Sequence, residues 1–156
     1  MRKIRGFTLV ELLITILVIA ILLSLAAPSF RSLLDRNAAT ATANDILSSI
    51  LLARSEAIKR EQPVIFSGSA DFSTWQVAAD TDNNGSGDDI VVEHSQGSNH
   101  VDVTPKGAAA TITFNSRGRA NLNTNNDFFT ITKNDTTRFV CFSSTGRPRI
   151  EEGGCQ

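Results

Sequence analysis

The side chains able to do chemistry are few and unevenly placed along the 156 residues. Near the C-terminus the chain reads STGRPRIEEGGC, with Arg147 and Arg149 flanking Pro148 directly after Gly146. Arginine presents a planar fork of donors that suits phosphate, and a loop stiffened by proline loses less entropy on binding. The same arginines have a structural alternative, a solvated turn in which they pair with Glu151 and Glu152. A second basic stretch, NSRGRAN, sets Arg117 and Arg119 around Gly118 and reads as a hairpin with charged flanks. The acidic stretch DTDNNGSGDD places Asp80, Asp82 and Asn84 as in a calcium loop. Val91 then stands where that loop requires a bidentate glutamate. Asp and Asn before Gly are also what a hairpin turn needs, so the stretch is expected to be a turn and no metal site is assigned.

Enzymatic chemistry is poorly provided for. His94 and His100 are the two histidines, both in a polar setting, and the chain has no tyrosine. It contains no GxSxG elbow, HExxH pair, phosphate-cradling glycine loop or dinucleotide fingerprint. No enzyme activity and no cofactor are expected, and any mechanical energy must come from another protein.

The elements that must position these residues begin with an apolar run, FTLVELLITILVIAILLSLAA, from Phe7 to Ala27, in which Glu11 is the single charge. About 20 such residues cross a bilayer as a helix. Arg2, Lys3 and Arg5 precede it, which keeps that end cytoplasmic and sends everything after Pro28 across the inner membrane. Cys141 and Cys155 then lie where disulfides persist, without metal-ligand spacing, and a structural bridge is expected. From Phe30 to about Arg60 helical periodicity continues, with Ile46, Ile50, Ala53 and Ala57 as a stripe and Leu47, Leu51 and Ile58 beside it. Pro28 is expected to kink this helix.

After Gln62-Pro63 the pattern turns to short β-forming runs. Strands are expected near residues 64–67, 74–79, 90–93, 101–104, 111–115, 128–132 and 138–142. The fold class is therefore α+β, a long N-terminal helix and an antiparallel β-rich head. Charge is partitioned within that head. Seven acidic and no basic residues lie from Asp71 to Asp102, while seven basic and two acidic residues lie from Lys106 to Arg149.

The first segment admits three readings: a cleaved secretory signal, a plain membrane anchor, or a specialised leader. A cleaved signal leaves Glu11 without a role, and a plain anchor makes it a costly buried carboxylate that implies a neutralising partner. RGFTLVELLITILVIAILLSLAAPSF resembles the leader and first helix of type IV pilins and type II secretion pseudopilins, on its basic start, Gly6, Phe7, Glu11 and Pro28. The resemblance implies cleavage after Gly6 by a prepilin peptidase and methylation of the new amine on Phe7. It also implies pairing of Glu11 with the N-terminal amine of a neighbouring pilin subunit during filament assembly. The organisation that follows is a leader at residues 1–6, a transmembrane and filament-core helix at 7–28, an amphipathic helix at 29–61 and the head at 62–156. Loss of the three leader cations leaves 12 Lys+Arg against 16 Asp+Glu, a net charge of −4. Affinity for a polyanion must then be local.

At the other end, RFVCFSSTGRPRI and ITFNSRGRA are similar to the C-terminal region of the FimT/GspH family of minor pilins and pseudopilins. In FimT proteins of naturally competent bacteria a GRxR loop contacts DNA, and Gly146, Arg147, Pro148 and Arg149 match it residue for residue. The resemblance implies a minor pilin, anchored in the inner membrane with a periplasmic head and assembled into an extracellular pilus, that binds DNA for uptake in natural transformation. Arg147 and Arg149 would contact phosphates, with Arg138, Lys133 and Arg119 supplying the surrounding field. Such binding should be salt-sensitive and independent of sequence. The alternative is a GspH-like pseudopilin of a secretion filament, with a structural role and no DNA binding.

Overall fold

The computed structural model describes residues 7–97, 100–122, 128–143 and 146–155. The expected leader, including Gly6, lies outside the described residues. A single helix, α1, runs from Leu9 to Arg60, and Pro28 falls inside it rather than ending it. The chain divides into two compact units, Met1–Leu34 and Asp35–Gln156.

In the first unit α1 is apolar and long enough to cross a membrane. Its large side chains from Leu9 to Leu23 all face outward. The helix opens on a reciprocal cap. Glu11 Oε2 accepts from the Thr8 amide at 3.1 Å and from the Thr8 hydroxyl at 3.0 Å, while Thr8 Oγ1 accepts from the Glu11 amide at 3.2 Å. This is the capping box of a Thr followed three residues later by Glu, and it satisfies donors the first helical turn leaves open.

In the second unit the remaining part of α1 buries Ala39, Ala43, Ile46, Ile50, Ala53 and Ala57 completely. Three- and four-residue steps put these positions on one face, and small alanines let the strands come close. Leu51 and Ile58, expected beside the stripe, are 44% and 51% exposed.

Eight strands follow. They are β1 (Val64–Gly68), β2 (Thr74–Ala79), β3 (Asp89–Ser95), β4 (Asp102–Lys106), β5 (Thr111–Phe114), β6 (Phe128–Lys133), β7 (Thr136–Phe142) and β8 (Pro148–Glu151). They form two antiparallel sheets, ordered β3-β2-β1-β5 and β4-β6-β7-β8. Alternation decides which side chains enter the core. Val64 and Phe66 of β1, Val103 of β4, Ile112 and Phe114 of β5, Phe129 and Ile131 of β6, and Val140 and Phe142 of β7 are buried in one cluster. The sheets meet where Phe66 and Phe72 contact Phe129, with ring centroids 6.0 and 5.4 Å apart in edge-on geometry. Trp75 is stacked on His94 at 4.3 Å, and its ring N–H donates to Ser49 of α1 at 3.0 Å. All members of the core cluster lie after Leu34, so the second unit has a complete core of its own.

Candidate phosphate-binding turn

The second sheet positions the C-terminal arginines. β7 and β8 form a hairpin in which Cys141 pairs with Arg149 and Phe142 with Pro148. The sequence reading of 146–149 as loop is corrected here, because Pro148 opens an edge strand and Arg149 lies within it. Proline is tolerated at that position because a first, edge-strand residue need not donate to a ladder.

The turn proper is closed by its own backbone. Ser143 N–H donates to Arg147 O at 2.9 Å and Gly146 N–H donates to Ser143 O at 2.7 Å, while the Arg147 N–H reaches Ser143 Oγ at 3.1 Å. Gly146 has φ +74°, in the left-handed region that glycine enters without cost, as in a hairpin turn ending in a bulge. Arg147 thus projects from a fixed backbone. It is exposed, and among the described residues its guanidinium pairs with no carboxylate.

Arg149 is held differently, since its Nε bonds Glu151 Oε1 on the same face of β8. Arg138 pairs in register with the buried Ile131, which puts it on the core side of the sheet, and its guanidinium meets Glu152 at 3.0 Å. Of the pairing anticipated for a structural turn, Arg149–Glu151 forms, whereas Glu152 is taken by Arg138, and among the described residues Arg147 has no carboxylate partner. Lys133 lies at the opposite end of the β6–β7 hairpin, opposite Thr136, on the order of 20 Å along the strand from Phe142. Its ammonium donates to the His100 carbonyl. Lys133 and Arg138 therefore do not converge with Arg147. Arg119 lies in the other sheet's terminal turn, after β5.

Lys106, counted in the sequence only among the basic residues of the head, gains a place in one row with Arg149 through strand pairing. Lys106, Phe128, Cys141 and Arg149 form a single cross-strand row on the outer face of the second sheet. Lys106 Nζ sits 4.9 Å above the Phe128 ring. Only strand pairing reveals that row, because the four residues come from four separate strands.

Cys141 and Cys155 are bridged, with Cα atoms 5.4 Å apart, and the bridge ties the tail to β7. In the acidic loop, carboxylate oxygens of Asp80, Asp82 and Asp88 come within 4.8 Å of one another. Each already accepts loop hydrogen bonds. Asp80 takes Asn84 N–H at 3.0 Å and Gly85 N–H at 2.9 Å, Asp82 takes Asn84 N–H at 3.1 Å, and Asp88 takes Thr81 N–H at 3.2 Å. These bonds shape residues 80–88, the connection of the β2–β3 hairpin.

Two crystal forms of the type IV minor pilin FimU of Pseudomonas aeruginosa strain PAO1 share this architecture. One has a TM-score of 0.61 at 21% identity, covering 74% of this chain and 90% of FimU. The other has a TM-score of 0.58 at 20% identity, covering 72% and 91%. No curated protein matches the chain significantly. A family model for the prokaryotic N-terminal methylation motif matches residues 1–27. One for the type II transport protein GspH matches residues 42–146, ending at Gly146 just before the two arginines. With a methylation-type apolar start, a pilin-like fold and a GspH match over most of the head, the chain belongs to the GspH family of minor pilins and pseudopilins, whose role is structural and not enzymatic.

Proposed function

We propose that this protein is a minor pilin whose β7–β8 turn binds extracellular DNA through its phosphates, serving pilus-mediated uptake in natural transformation. In this reading the head lies on the periplasmic side of a single inner-membrane span until the subunit enters a filament. The observation that carries it is Arg147, an exposed guanidinium with no carboxylate partner among the described residues, on a turn whose backbone is fixed by three hydrogen bonds. A rigid loop spends little entropy on binding, and a guanidinium fork matches phosphate geometry. Arg149 is the weaker contributor, because Glu151 must release it. Gly146 and Pro148 set the turn and the strand entry. With few open cations and a net negative subunit, affinity is modest and salt-dependent, and several subunits in one filament multiply it.

The ion pairs Arg149–Glu151 and Arg138–Glu152 favour a second reading, a secretion-filament pseudopilin that uses this edge for protein contacts. Amide NMR of the second unit during titration with duplex DNA separates the two. Shift changes centred on residues 146–149, weakened by Arg147→Gln, support the first reading. An unchanged spectrum at low salt leaves the second.

A further inference from the structure

The turn after β5 repeats the construction of the turn after β7, in the other sheet. Asn115 N–H donates to Arg119 O at 3.0 Å, Gly118 N–H donates to Asn115 O at 2.8 Å, and Arg119 N–H reaches Asn115 Oδ1 at 3.0 Å. The corresponding bonds of the other turn join Ser143, Gly146 and Arg147 in the same order, at 2.9, 2.7 and 3.1 Å. Gly118 and Gly146 have φ of +72° and +74°. Arg119 therefore occupies in the first sheet the place that Arg147 holds in the second. The Asn115 carboxamide takes a further bond from Arg117 N–H at 3.0 Å.

The charge around it is also less compensated. A Cβ on Gly118 would stand 3.3 Å from Arg54 Nε and 2.7 Å from Ile58 Cδ1, so the turn is seated on the outer side of α1 beside a third guanidinium. Among the described residues Arg54, Arg117 and Arg119 form no ion pair with any carboxylate. Glu56, close by on the helix, is already engaged by Lys59 and Arg60. Glu61, just past the end of the helix, pairs with none of the three. Guanidiniums held at one turn without counter-charge repel one another, and a polyanion relieves that repulsion. We propose that the Asn115–Arg119 turn, with Arg54 beneath it, is a second site for the DNA sugar–phosphate backbone. The inference rests on the DNA-binding reading of the β7–β8 turn and extends it from one contact point to two.

The test is the salt dependence of duplex DNA binding by the full chain in nonionic detergent micelles, read by anisotropy of a labelled duplex. Each phosphate contact adds about 0.9 to the slope of log affinity against log salt. Arg54→Gln, Arg117→Gln and Arg119→Gln combined should lower the slope by about 2 to 3, against about 1 for Arg147→Gln. Lysine at the same three positions should restore most of the slope, which separates charge from turn damage. If the wild type binds and the triple variant keeps its full slope, the second site is refuted while the β7–β8 reading stands. If the triple variant loses slope and Arg147→Gln does not, the second site stands and the first assignment falls. Absence of wild-type binding at low salt overturns both.

Discussion

Alanine at Gly118 and at Gly146 should give unequal stability losses, although the two glycines share a backbone conformation. Their φ values of +72° and +74° place both in the left-handed region, which costs an ordinary residue about 1–2 kcal/mol. At Gly146 nothing lies within 4 Å of the added methyl, so that cost stands alone. At Gly118 the methyl would meet Ile58 Cδ1 at 2.7 Å and Cγ1 at 3.0 Å. Ile58 is half exposed and can swing aside, which limits the added overpacking to about 1 kcal/mol. The expected losses are about 1–2 kcal/mol for Gly146→Ala and about 2–3 kcal/mol for Gly118→Ala. For the 122 residues from Asp35 to Gln156, an unfolding entropy of about 2.1 cal/mol/K per residue converts each kcal/mol into about 4 °C. Thermal melts of that unit should therefore fall by about 4–8 °C and about 8–12 °C respectively. In a double-mutant cycle, Ile58→Ala should remove the excess at Gly118. Equal losses, or an excess that survives Ile58→Ala, would refute the packing argument.

Removing the Cys141–Cys155 bridge, at a separation of 14 residues, should cost about 3 kcal/mol, read as a drop of about 12 °C in Tm under reducing conditions or in a Cys→Ser pair. DNA affinity of the folded fraction should hardly change, because the Ser143–Arg147 turn is closed by its own hydrogen bonds. Asp71 accepts from Ser73 N–H at 3.1 Å and from the Ser69 and Ser73 hydroxyls at 2.8 Å, which holds its carboxyl down at about 2 from the usual 3.8. A carboxyl lowered in the folded state stabilises above its unfolded value and loses that contribution as pH falls through the folded one. Denaturation of Asp71→Asn should therefore show a constant deficit above about pH 4 that closes towards about pH 2. Glu11 serves both as cap partner of Thr8 and as the expected partner of a neighbour's amine. Thr8→Ala should leave filament incorporation nearly normal and Glu11→Ala should abolish it in a sheared-filament assay. Equal defects would reduce Glu11 to a cap.

The long helix and seven of the eight strands were legible because period is a local property. Ile46, Ile50, Ala53 and Ala57 recur at helical spacing, and TITF alternates, while RFVCF is a short apolar run of β-formers. β8 was not legible, since Pro148 and two charged residues in a four-residue edge strand resemble a loop. Pairing between strands leaves no local trace. The row of Lys106, Phe128, Cys141 and Arg149 was invisible for that reason, and Lys133 and Arg138 were grouped with Arg147 on chain proximity alone. Register places Lys133 at the far end of its hairpin and Arg138 on the core side. The Thr8–Glu11 capping box could have been read from spacing. It was hidden by the stronger expectation that a carboxylate in an apolar run looks outward for a partner.

The central claim is that Arg147 contacts DNA phosphate. Surface-immobilised duplex DNA, with the wild-type second unit flowed over it at low salt, tests it most directly against Arg147→Gln and Arg147→Glu. The account predicts measurable wild-type binding that weakens as salt rises, falls with Arg147→Gln and falls further with Arg147→Glu. No wild-type binding at low salt, or equal binding by all three proteins, would contradict it.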